Sequence, residues 1–172
     1  MCVILYTSGT TGFPKGVMLT FKNLLVNIDA ISSKEVPIFN KNSSTLILLP
    51  LHHVMPLVGT LVAPIFSESQ VVLCPSMSGP DIMASLQRGK VTIMVGVPRL
   101  WQTLYNGIKK KIDESALAST LYKLCEKVGS YGFSKKVFAS VHKKLGGHLV
   151  YCVSGGAALD KEIGNGMKTL GI

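Results

Sequence analysis

The chain is poor in negative charge and has few residues that could staple or anchor it. Only 9 of its 172 residues are acidic, and charged residues of both signs make up just 16%. Cys2, Cys74, Cys125 and Cys152 lie too far apart for a Cys-x-x-Cys knuckle, and His52, His53, His142 and His148 form no zinc pattern. These spacings argue against a structural zinc site and read as reduced thiols of an intracellular protein. No apolar run reaches membrane-spanning length and nothing resembles a signal peptide, so the chain is expected to be soluble or peripheral, in the cytoplasm or against a membrane. Aromatics are not interleaved with basic residues, and there is no finger spacing or arginine-rich tail. Nucleic acid is therefore not expected as the main partner.

What is present is apolar and unevenly basic. Hydrophobic residues make up 47% of the chain, which suits an α/β domain whose parallel strands are buried on both faces. The net charge is +9. Residues 1–86 carry four Lys and four acidic residues, so the excess lies wholly in the second half. A basic half can attract nucleotide, coenzyme A or an anionic membrane surface, and acid elsewhere in a longer chain could equally balance it. Lys109-Lys110-Lys111, Lys135-Lys136 and Lys143-Lys144 read first as solvated helical faces. Contact with anionic lipid or coenzyme A is the sharper reading.

Strand candidates are Cys2–Tyr6, Thr45–Leu49, Val71–Cys74, Val91–Val97 and His148–Ser154. Helical spacing covers Thr20–Ser33, Val54–Phe66, Asp81–Arg88, Pro98–Lys110, Ser134–Leu145 and Leu159–Leu170. Strand–helix units with short connections predict right-handed crossovers and a mostly parallel sheet flanked by helices. A less regular insert, with a helix at Leu117–Val128, is expected over residues 112–134 of a single partial domain. Both ends read as cuts within a longer chain.

The run Tyr6-Thr7-Ser8-Gly9-Thr10-Thr11-Gly12-Phe13-Pro14-Lys15-Gly16 is dense in groups that bind anions. Glycines let backbone N–H groups converge, hydroxyls add donors, and Lys15 adds a mobile point charge suited to phosphate. The spacing is not that of a Walker A loop, because Gly16 rather than Ser or Thr follows Lys15. Nor is there a Gly-x-Gly-x-x-Gly dinucleotide fingerprint. The run closely resembles the signature of the adenylate-forming superfamily, which contains acyl-CoA synthetases, luciferases and nonribosomal peptide adenylation domains. The resemblance implies that Thr7, Ser8, Gly9, Thr10, Thr11, Gly12 and Lys15 close over the β- and γ-phosphates of ATP.

Two further segments carry chemistry. Leu49-Pro50-Leu51-His52-His53 sets two imidazoles after a buried strand, where parallel-sheet proteins bind ligands, although either ring also fits a packing role. It resembles a second motif of the superfamily, which implies that His53 lies near the carboxylate and the acyl pocket, with His52 beside it. Val153-Ser154-Gly155-Gly156-Ala157-Ala158-Leu159 reads as a strand ending in paired glycines before a helix. It resembles the stretch whose backbone flanks adenine, a role that falls on Gly155, Gly156 and Ala157. Gly96-Val97-Pro98-Arg99-Leu100-Trp101 looks like members acting on long-chain fatty acids.

The resemblance thus implies a three-layer α/β fragment of the large N-terminal domain of a long-chain fatty acyl-CoA synthetase. ATP with Mg²⁺, a fatty acid and coenzyme A are the expected small-molecule partners, alongside the rest of the same chain. The fragment itself should supply no metal ligand. The residues that hold Mg²⁺, ribose and the adenylation lysine are expected outside it, so the piece alone should be inactive. An aryl-acid or amino-acid adenylating enzyme stays open, as does a non-catalytic nucleotide-binding or interaction protein.

Overall fold

A computed structural model describes residues 1–7, 12–33 and 37–172. Its centre is a four-stranded parallel sheet of β3 (Ser44–Ile47), β4 (Gln70–Leu73), β5 (Ile93–Gly96) and β6 (Tyr151–Ser154), in the order β4-β3-β5-β6. All three pairings are parallel, with Leu46 opposite Met94 and Gly96 opposite Ser154. β5 lies inside the sheet, and its four residues are buried. Met94 packs into one core while Ile93 and Val95 pack into the other, so the strand carries no polar alternation.

Helices cover both faces and make three layers. On the Val95 face lie α1 (Phe21–Ile31) and a continuous helical run comprising α2 (Val54–Pro56), a π-helical stretch (Leu57–Val62) and α3 (Ala63–Phe66). Thr20 caps α1, its hydroxyl accepting from the Asn23 N–H while Asn23 reaches back to the Thr20 N–H. The π turn has a sequence cause. Pro64 has no N–H to offer the Thr60 carbonyl, so the ladder widens there, and the buried Thr60 hydroxyl donates to the Pro56 carbonyl at 2.7 Å.

The Met94 face carries α4 (Gly79–Arg88), α5 (Pro98–Asp113), α6 (Ala116–Val128), α7 (Tyr131–Val137), α8 (Ala139–Lys144) and α9 (Lys161–Thr169). Ser78, Ser115, Ser130 and Asp160 cap the helices that follow them. The run read as one helix over 134–145 breaks at Phe138 into α7 and α8, with Phe138 itself buried. His142 of α8 donates from Nε2 to the Leu170 carbonyl at 2.9 Å, which ties α8 to the end of α9 and gives this buried imidazole a structural partner. Tyr105 and Tyr122 join hydroxyls at 3.0 Å between α5 and α6, and burial first, then that bond, pushes the Tyr122 phenol well above its ordinary range.

One strand escapes the sequence reading. β1 (Val3–Thr7) does not enter the parallel sheet but pairs antiparallel with β2 (Lys15–Leu19). The pairing places Thr7 opposite Lys15, so the phosphate-loop motif is the connection of a hairpin. Lys15 and Gly16 closed the motif and hid the apolar run Val17-Met18-Leu19 that follows.

Helix α9 meets α5 without a side chain between them. A Cβ on Gly166 would collide with the buried Tyr105 ring, which its hydroxyl bond to Tyr122 holds in place. Gly166→Ala is therefore expected to destabilise the chain by about 1–3 kcal/mol. Urea unfolding measures it, and an unchanged midpoint would contradict the packing.

Candidate functional site

The strands of the sheet end together, and the sequence motifs sit at that end. After β3 the chain runs through buried Leu48 and Leu49 to Pro50, then exposes His52 and His53 before α2 begins. His53 has extended backbone (φ −101°, ψ 144°), and its carbonyl accepts from the Leu57 N–H at 3.0 Å. The helix thus starts directly under the imidazole. The two histidine rings lie 4.2 Å apart and tilted by 49°.

After β6, the Gly155 N–H donates to the Gly96 carbonyl at 3.1 Å and extends the β5–β6 ladder by one step. A Cβ on Gly155 would run into the Met55 sulfur, so the absence of a side chain lets α2 close against the strand end. Gly156 has φ +82°, a left-handed turn that favours glycine and breaks the strand.

These pieces enclose one cavity of about 580 Å³. Thr7 from the hairpin, His52 and His53 from the β3 loop, and Gly156 from the β6 loop all line it. Met55 lines it too and packs on Gly155, so four of the candidate residues share a wall and a fifth supports it. Gly12 (φ +84°) and exposed Lys15 follow in the same hairpin without lining the cavity, as does Ala157 after Gly156. Ser8, Gly9, Thr10 and Thr11 lie outside the described residues.

Leu49 and Val97 line the cavity as members of runs already marked in the sequence, whereas Met55 and Met77 carried no motif of their own. Met77 is brought in by a polar brace. Asp81 accepts from the hydroxyls of Ser76 at 2.5 Å and Ser78 at 3.0 Å, on either side of Met77. The Ser76 bond, then the Ser78 bond, holds the Asp81 carboxyl below its usual value.

A second cavity, of about 380 Å³, adjoins the first and shares Leu19, Val54 and Met55 with it. It lies between α1, the π-helical stretch and the Val95 face of the sheet. Among the described residues, Asn23 and Asn27 are the polar side chains of its lining and none of the lining side chains is charged. Both cavities are mostly apolar, and Thr7, His52 and His53 bring polar side chains to the first, beside the β1–β2 hairpin. Among the described residues no acidic side chain lines either cavity, and no three His, Cys, Asp or Glu are placed to hold a metal ion. The described residues therefore do not fit a protein-ligated Mg²⁺.

The comparison with known families decides the lineage: the family of AMP-binding enzymes matches residues 1–172. The chain belongs to that family. Long chain acyl-CoA synthetase 8 of Arabidopsis thaliana is 32% identical over 94% of this chain and 26% of its own length. Long-chain-fatty-acid–CoA ligase 1 of Saccharomyces cerevisiae is 29% identical, again over 94% of this chain and 25% of its own length. The chain spans about a quarter of these curated relatives.

Solved structures within the family share the fold. A malonyl-CoA ligase in ternary product complex with methylmalonyl-CoA and AMP has a TM-score of 0.67 at 22% identity, covering 98% of this chain and 30% of its own. O-succinylbenzoate coenzyme A synthetase from Bacillus subtilis, in complex with ATP and magnesium ion, is 34% identical with a TM-score of 0.52, covering 60% of this chain and 21% of its own.

The Met55–Gly155 contact can be tested as a pair. Gly155→Ala should cost at most about 1 kcal/mol, since the flexible Met55 thioether can turn aside, and Met55→Ala in the same chain should recover part of it. Strict additivity in a double-mutant cycle measured by denaturation would contradict the closure of α2 on β6.

Proposed function

We propose that the chain forms the phosphate-binding and acyl-binding part of a long-chain fatty acid–CoA ligase that works through an acyl-adenylate. The observation carrying this reading is the convergence of Thr7, His53 and Gly156 on one cavity that continues into a second, apolar one. Names of the relatives point the same way, since both the plant and the yeast proteins are long-chain acyl-CoA ligases. The apolar lining, uncharged among the described residues, favours an alkyl chain over an amino acid, whose ammonium would need a carboxylate.

In the proposed reaction a fatty acid carboxylate oxygen attacks the α-phosphorus of ATP, forming the acyl-adenylate as the bond to pyrophosphate breaks. The coenzyme A thiol, losing its proton, then attacks the acyl carbon, forming the thioester and releasing AMP. The hairpin loop would hold the β- and γ-phosphates, its N–H and hydroxyl donors and the Lys15 ammonium stabilising charge on the departing pyrophosphate. His53, which lines the first cavity next to the shared Val54, would orient the carboxylate by hydrogen bonding. The Gly156 turn brings backbone to the cavity where the adenine would lie. Mg²⁺ would arrive with ATP rather than on ligands of the described residues. Coenzyme A and the remainder of the longer chain complete the partners in this reading.

Two substitutions in the whole enzyme test it. Lys15→Ala should slow the pyrophosphate-releasing step roughly a hundredfold, as loss of a charge-stabilising donor does. An unchanged single-turnover rate would remove Lys15 from that role. Gly59 lines the apolar cavity, and a Cβ there would meet nothing within 4 Å. Gly59→Leu should therefore fold, fill the cavity and move the preference in AMP release toward shorter acids. An unaltered chain-length profile would place the acyl chain elsewhere.

A further inference from the structure

A third cavity lies on the other face of the sheet, and its chemistry is distinct. It has a volume of about 520 Å³ between α4, α5 and α8. Its floor is buried and apolar, built from Ile82, Leu86, Met94, Ile112, Phe138 and Leu145. Its polar lining side chains are Thr103, Lys111, Ser140 and Lys144, and all four are exposed. The cavity is thus amphipathic, with an apolar floor and a mouth of two ammonium groups and two hydroxyls.

Helix α5 creates this asymmetry through its period. Leu100, Thr103, Leu104, Gly107, Ile108 and Lys111 fall at i, i+3, i+4, i+7, i+8 and i+11 along the face turned to the cavity. Trp101 and Tyr105 point into the core instead. Gly107 leaves a gap in the stripe, since a Cβ there would meet nothing within 4 Å. At the far corner the Gln87 side chain donates to the Lys144 carbonyl at 3.2 Å and ties α4 to α8. Three methionines, Met77, Met83 and Met94, add adaptable apolar surface.

The lysines have no acidic partner. Among the described residues the one ion pair is Lys109 with Asp113, one turn apart on α5. Lys111 and Lys144 therefore present uncompensated charge at the mouth of an apolar cavity. We propose that this cavity is a second binding site for a long-chain carboxylate, its chain on the apolar floor and its head between Lys111 and Lys144.

The site is separate from the cavities described above. Met94 forms its floor while the adjacent Val95 lines the cavity on the opposite face, so β5 is the partition between them. Met77 lines both this cavity and the one holding the histidines. Occupancy here would press on a residue that also shapes the motif cavity, which makes the site suited to regulation by free fatty acid. The assignment rests on the cavity's own lining and not on the ligase reading.

Titration of the full chain with the fluorescent fatty acid cis-parinaric acid, without nucleotide, tests it. Two equivalents should bind, falling to one in Gly59→Leu and to none when Gly107→Leu is added. Gly107 sits within a helix beside open space, and leucine has the higher helix propensity, so that variant should fold. In the Gly59→Leu background, Lys111→Glu with Lys144→Glu should weaken binding of the acid roughly fivefold and leave the methyl ester unaffected. Complete loss of binding in Gly59→Leu alone would overturn the proposal, as would full stoichiometry in Gly107→Leu or indifference to the lysine reversals. Parinarate binding that persists in a protein releasing no AMP would count against the ligase reading and leave this site standing.

Discussion

The bond from the Gly155 N–H to the Gly96 carbonyl, 3.1 Å long, is the constraint on which the site depends. It carries the β5–β6 ladder one residue past the strand and fixes where the chain must turn. Because Gly155 has no side chain, Met55 can lie against it and bring the start of α2, with His53, over the end of the sheet. Gly156 then turns away in a conformation that a side chain would resist. Three stretches spread over about a hundred residues of sequence meet because parallel strands all finish at one edge, the general location of ligand sites in such sheets.

The same sheet divides the molecule into two chemically different halves. On one face an apolar cavity continues from the motif cavity behind Met55. On the other, an apolar floor opens to a cationic mouth. Alternation along one buried strand, Val95 to one side and Met94 to the other, produces both. The excess positive charge of the second half of the sequence thus has at least one local setting, the exposed lysines that end α5 and α8.

Much of this was legible in the sequence, and the parts that were not have physical reasons. Short apolar runs ended by proline or glycine marked β3, β4, β5 and β6, because buried parallel strands need no polar alternation. Thr20 marked the start of α1 as a cap, whereas the turn-like Ser78-Gly79-Pro80 hid that α4 begins at Gly79. The β2 strand was hidden since its first two residues belong to the phosphate-loop motif, and pairing partners are not encoded locally. The π-helical stretch followed from Pro64, whose effect on the ladder depends on a helix already being in place. Met55 and Met77 enter the motif cavity through packing and a serine–aspartate brace, and neither has a signature of its own.

The central claim is that the phosphate-loop hairpin, the His53 loop and the Gly155–Gly156 turn act as one binding site. Amide hydrogen exchange of the full-length protein, with and without an acyl-sulfamoyl adenosine that mimics the acyl-adenylate, tests this most directly. The account predicts that peptides covering the hairpin, residues 52–59 and residues 153–157 slow together at one saturating concentration. Protection confined to one of the three, or appearing at different concentrations for each, would contradict it.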